Sequence, residues 1–195
     1  MLLLLAAVLS WNVWANPNRC ETDLIWHTYA EILLSDDGEN EYVGLKLFYP
    51  QIEKTRGQLE AIIGHDLKNR GEAHITILNP AEYAQVRQTL SRAELKAVLQ
   101  AKEIGAEQIV PICIGKGEAV IDGKPEQTYF LMVASIAINR VRSHITSAVA
   151  AKGGSFPLPK VYNWHITLGF TKRDLHSSDG VIKDASQCVY DIKPK

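Results

Sequence analysis

Charge of one sign is what this chain has least of. Its 21 Lys and Arg are set against 22 Asp and Glu, a formal net charge of -1, so no chain-wide field would draw it to duplex nucleic acid, although a small phosphorylated ligand stays open. Cysteine is scarce as well. Three cysteines in 195 residues are too few for a disulfide scaffold, and no CxxC or Cys/His grouping has zinc-ligand spacing. No carboxylate cluster points to a two-metal centre, and no Ser or Cys stands in a recognisable nucleophile motif. Long apolar runs are absent except at the start, MLLLLAAVLSWNVWA, which is short for a bilayer span and gives way at once to the polar NPNRCETD. Residues 1–15 therefore read as a secretory signal cleaved after Ala15, with Val13 and Ala15 at the small-residue positions and Asn16 as the mature start. The rival reading is an amino-terminal anchor. PNRC lacks the Leu and small residues that lipid attachment at Cys20 would need. The expected product is exported, periplasmic or secreted, with no stable membrane association after cleavage.

What is present is ordinary globular composition, 46% hydrophobic and 22% charged, enough for one self-sufficient domain over residues 16–195. EYVGLKLFY alternates as a strand. QIEKTRGQLEAIIG sets Ile52, Leu59, Ile62 and Ile63 at helical spacing and stops on Gly64, and EAHITILN is short and β-branched. Asn79 with Pro80, then Ser91 with Glu94, mark two helix starts. The order then recurs: a hairpin turning at DGKP, a helix INRVRSHITSAVAAKGG closed by two glycines, and a strand YNWHITLGF. Tyr42 and Tyr129 stand at similar offsets before His74 and His165. A two-fold repeat is too short for a solenoid, so two lobes about a pseudo-dyad are expected.

His-Ile-Thr occurs three times, in HITIL, SHITSA and HITLGF. On a strand, residues i and i+2 share a face, so His74 and Thr76 point one way and Ile75 and Ile77 the other; His165, Thr167, Ile166 and Leu168 repeat the arrangement. On a helix the same spacing turns through about 200°. His144 and Thr146 therefore diverge, and Val141, Ile145, Ala148 and Val149 support a helix there. Singly, a strand His-x-Thr is more often a satisfied polar pair than a catalyst; two copies at matching places carry more weight. Paired imidazoles suit metal-free displacement at phosphorus: one takes a proton from the attacking oxygen, the other gives one to the leaving oxygen. The threonine hydroxyls can donate to non-bridging oxygens.

His74-Ile-Thr76-Ile and His165-Ile-Thr167-Leu resemble the paired motifs of the 2H phosphoesterases, over roughly Tyr42 to Phe170. The tail HITLGFTKRDLH and the secreted look are similar to the Swiss-army-knife, RNA-repair-like branch. The resemblance implies a bilobal α+β fold with antiparallel sheets lining a central cleft and helices outside. It implies hydrolysis of a cyclic phosphodiester, typically a 2',3'-cyclic phosphate on a nucleotide or RNA end, with no metal or cofactor. By carry-over, His74 and His165 are the acid and base, in either order, and Thr76 and Thr167 hold the phosphate.

Other residues carry weaker expectations. His176 is a possible substrate contact. Lys172 and Arg173 are expected in a solvated loop, Tyr162 and Trp164 should point away from the cleft by strand parity, and His27 and His65 lack a partner pattern. Cys113 in VPICIG reads as core, and Cys20 and Cys188 can pair in an oxidising compartment. The expected partner is a small nucleotide or RNA-end cyclic phosphate, and a monomer is expected. A non-catalytic nucleotide or RNA-end binding module of the same fold is the alternative.

Overall fold

The computed structural model describes residues 19–22, 31–34, 41–100, 109–158 and 161–194. The signal segment, the proposed cleavage point and His27 lie outside them. Strands β1 (Arg19–Thr22), β2 (Glu31–Leu34), β3 (Val43–Lys46) and β4 (His74–Leu78) belong to the first half, with helix α1 (Tyr49–Ile63) between β3 and β4. Helices α2 (Pro80–Arg87) and α3 (Arg92–Gln100) connect the halves. The second half brings β5 (Val110–Ile121), β6 (Lys124–Ala134), helix α4 (Ile136–Ala151), β7 (His165–Phe170) and β8 (Cys188–Pro194).

Two sheets result, β2-β3-β4 and β1-β8-β5-β6-β7, antiparallel except where β1 runs parallel to β8. This is the α+β, bilobal arrangement that the sequence predicts. Each lobe is built on one plan: two antiparallel strands, a helix, and a strand that returns beside the second. Among the described residues, no helix is long and apolar enough to cross a membrane.

Local chemistry sets the boundaries. Helix α1 takes Pro50 in its first turn and ends where Gly64 adopts φ 77°, its N–H bonding the Glu60 carbonyl at 2.9 Å. Helix α2 opens on a reciprocal cap, Glu82 N–H to Asn79 Oδ1 at 2.9 Å and Asn79 N–H to Glu82 Oε2 at 3.0 Å. Ser91 and Glu94 cap α3 in the same way. The β5–β6 turn is tighter than DGKP suggests. Asp122 and Gly123 alone make it, at φ 53° and 75°, and Lys124 and Pro125 already belong to β6.

The core lies between sheets and helices. Ile75, Ile77, Ile166 and Leu168 are all but inaccessible, while His74, Thr76, His165 and Thr167 are half-buried on the other face. Burying each aliphatic side chain contributes roughly 1.5–3 kcal/mol. Arg142 ties the lobes together from α4. It is buried, donates to the Ile77 carbonyl of β4 at 2.5 Å, and forms a forked pair with Glu82 of α2 at 2.7 and 3.0 Å. The rings of Phe156, Tyr162 and Trp164 surround its guanidinium. A second tie is a backbone bridge, Lys68 to Phe170, with both N–H···O bonds at 2.9 Å. Gly169 permits it, because a Cβ there would stand 2.7 Å from Leu67 Cβ and 2.9 Å from the Lys68 carbonyl.

The cysteines pair otherwise than expected. Cys113 is bonded to Cys188, with Cα atoms 5.8 Å apart, and Cys20 is free and buried. Strand register explains this. Cys188 stands opposite Gly115 on β5, beside Cys113, whereas Cys20 on β1 stands opposite Ile192. Four residues along a strand separate Cys20 from Cys188 by about 13 Å, beyond the reach of a disulfide.

Candidate active site

Both motif strands are outermost in their own sheets, and their edges face each other in the middle of the molecule. The face that carries His74, Thr76, His165 and Thr167 opens into a cleft of about 820 Å³. The two outer motifs are thus brought together, and the middle one is not. His144 and Thr146 lie on α4, and the Thr146 hydroxyl donates to the Phe156 carbonyl at 3.0 Å.

The two histidines are held differently. His165 sets Nδ1 3.0 Å from the Asn163 carbonyl. A carbonyl only accepts, so Nδ1 carries the hydrogen and Nε2 keeps a lone pair. Burial, and next the charge of Lys183, push the His165 pKa down to about 4. His74 instead sets Nδ1 3.3 Å from a Glu72 carboxylate oxygen. Burial lowers its pKa also, but Glu72 opposes that shift by charge and by hydrogen bond. The edge of the Phe130 ring meets the His165 ring at 5.8 Å, and Tyr42 lies over His74 at 5.2 Å. Each imidazole is therefore fixed by packing as well as by its Nδ1 partner.

The threonines differ too. Thr76 lines the cleft and makes no side-chain hydrogen bond among the described residues. Thr167 donates its hydroxyl hydrogen to Asp174 Oδ2 at 3.1 Å. Asp174 is buried and also accepts from Thr128 at 2.7 Å and from Lys183 Nζ at 2.7 Å. Burial favours its neutral form, but the charge and hydrogen bond of Lys183, with the Thr128 hydroxyl, hold its pKa below the usual carboxylate range. Lys183 is itself buried and stands 3.4 Å from Thr167 Oγ1.

His176 lines the cleft, exposed, with Nε2 3.7 Å from Asp174. Lys172 pairs with Asp122, and Arg173 forms a forked pair with Asp179, so both are surface ion pairs away from the cleft lining. Tyr162 and Trp164 stack on each other, and the Trp164 indole donates to Asn139 on α4, which agrees with strand parity. His65 is exposed just beyond the α1 cap.

Sequence reasoning missed Asp174, Lys183, Glu72 and the Asn163 carbonyl. Asp174 and Lys183 lie in TKRDLHSSDGVIKDAS, a polar stretch without periodicity that looks solvated. One signal was present: Lys183 directly follows the apolar pair Val181-Ile182, and Val181 is buried.

A family model described as Swiss Army Knife, 2H phosphoesterase domain, matches residues 41–176. No curated protein and no solved structure matches the chain.

Proposed function

The chain belongs to the Swiss Army Knife 2H phosphoesterase family and carries a phosphoesterase domain, and from that premise we propose that it hydrolyses a cyclic phosphodiester, a 2',3'-cyclic nucleotide or RNA-end phosphate, by paired-histidine acid/base catalysis. One observation carries the reading: His74-x-Thr76 and His165-x-Thr167 enter one cleft from facing strands. His165 is the base. Its neutral ring, with Nδ1–H committed to Asn163, presents a lone pair on Nε2 to the attacking water. His74 is the acid, because the Glu72 carboxylate at Nδ1 favours its charged form and leaves an Nε2–H for the leaving oxygen. Water oxygen bonds to phosphorus as its proton passes to His165. The bond from phosphorus to one ribose oxygen breaks as that oxygen takes the proton of His74, and a phosphomonoester results. Thr76 donates to a non-bridging oxygen. We also propose an oxidising, extracytoplasmic location, which the Cys113–Cys188 bond supports.

The test is turnover of 2',3'-cyclic nucleotides with a chelator present. His74→Ala and His165→Ala should each lower kcat/KM by about a hundredfold or more, while His144→Ala stays near the parent. Equal loss at His144, full dependence on added metal, or tight ligand binding without product would overturn the reading.

A further inference from the structure

We infer that Lys183, not Thr167, supplies the hydrogen-bond donor and the positive charge that the phosphate meets on the β7 side of the cleft. This deepens the cyclic-phosphate reading and rests on it.

Proton bookkeeping requires a donor other than Thr167. A threonine hydroxyl has one hydrogen, and an ionised carboxylate can only accept. Thr167 gives its hydrogen to Asp174 Oδ2 and so has none left to donate to a phosphate oxygen. Thr128 is engaged with the same carboxylate. Lys183 has three N–H groups: one meets Asp174 Oδ1 at 2.7 Å, a second approaches Thr167 Oγ1 at 3.4 Å, and a third remains at a residue that lines the cleft. Its ammonium is almost enclosed, with the Phe130 ring 5.9 Å away. Water therefore screens it little, and although Asp174 offsets much of its charge, an anion hydrogen-bonded to the third N–H would still be drawn by the ammonium.

The side chain comes from outside the matched residues 41–176. It rides on the segment between β7 and β8, which begins at the β7 end and is fastened to β5 by Cys188. Asp174 thus orients Lys183 and holds Thr167 turned away, as a positioning residue. The pseudo-symmetry of the motifs is broken here: Thr76 meets the phosphate as a neutral hydroxyl, and its counterpart yields that task to a cation.

Two substitutions separate this role from a merely structural ion pair. Lys183→Met and Asp174→Asn both break the pair, but only the first removes the cation. Inorganic phosphate is the probe, its affinity measured by calorimetry on the folded full chain, since binding needs no turnover. Lys183→Met should weaken phosphate binding about tenfold or more, Lys183→Arg should restore most of it, and Asp174→Asn, which keeps an amide oxygen for Lys183 to bond but loosens its hold, should lose clearly less than Lys183→Met. Equal losses in Lys183→Met and Asp174→Asn, or no loss in Lys183→Met, would overturn the inference. Should the variants not fold, the parent protein with 15N-labelled lysines answers the same question: the enclosed ammonium resonance should move on phosphate addition, and an unmoved resonance at saturation refutes the role. Phosphate binding with this pattern but no turnover of cyclic nucleotides would sink the activity reading alone. Turnover with phosphate affinity indifferent to Lys183 would sink this one alone.

Discussion

Cutting the Cys113–Cys188 bond should cost this protein more than any other change of two sulfur atoms to hydrogen or methyl. The bond closes a loop of 75 residues, for which chain entropy gives about 4 kcal/mol of stability. That loop holds β6, α4, β7 and the whole segment carrying Asp174, His176 and Lys183. At roughly 2–4 °C per kcal/mol for a domain of this size, the melting temperature should fall by about 10 °C. Cys113→Ala and Cys188→Ala should each show the full loss in urea and thermal unfolding, and the double variant should cost little more than either, because the first substitution already opens the loop. Cys20→Ala is the control. It removes one buried, unbonded sulfur and should cost about 1 kcal/mol. Denatured, unreduced protein should titrate one thiol, that of Cys20. Activity should fall with stability in Cys188→Ala, because Lys183 stands just before the lost anchor. Additive losses in the double variant, or a Cys20→Ala effect as large as that of Cys188→Ala, would refute the reasoning.

Two further outcomes follow from the geometry. The pH profile of kcat/KM reports the free enzyme: His165 must be neutral, so the acidic limb should lie near pH 4, and His74 must be protonated, so the basic limb should fall below the ordinary histidine value of about 6.5. Glu72→Gln, which removes the carboxylate that favours charged His74, should move the basic limb to lower pH and leave the acidic limb in place. Gly169→Ala should destabilise by about 1–3 kcal/mol, since its Cβ meets backbone and side chain of the bridging segment, whereas Gly57→Ala, exposed on α1 with open space around it, should stabilise by about 0.5–1 kcal/mol; denaturant unfolding of both tests the contrast.

The parts of the fold that depend on neighbours a few residues away were legible. Alternation placed His74 and Thr76 on one face of a strand, a capping pair opened α2 at Asn79, and the 3.6-residue period moved His144 out of contention. The parts that depend on chain segments meeting were not. Asp174 reads as a solvated loop carboxylate until Thr128, Thr167 and Lys183 converge on it from three separate segments. Cys188 has two possible partners by composition, and only the β1–β8 and β5–β8 registers choose Cys113. The different surroundings of His74 and His165 arise likewise: one carboxylate two residues before the first, one carbonyl two residues before the second, each turned onto Nδ1 by the fold.

That both motif strands are outermost gives the cleft an origin. With β4 and β7 laid edge to edge and bridged backbone to backbone, beyond the motif, through Lys68 and Phe170, the site is the gap where one continuous eight-stranded sheet fails to close. Edges left open in this way are usually a hazard, inviting another chain to pair with them; here each lobe shields the other's edge while keeping it far enough away to admit a ligand. The spacing between the two imidazoles is then a property of the seam. A substitution at Gly169 or Arg142, touching neither histidine, retunes it as a shim does the gap between two plates.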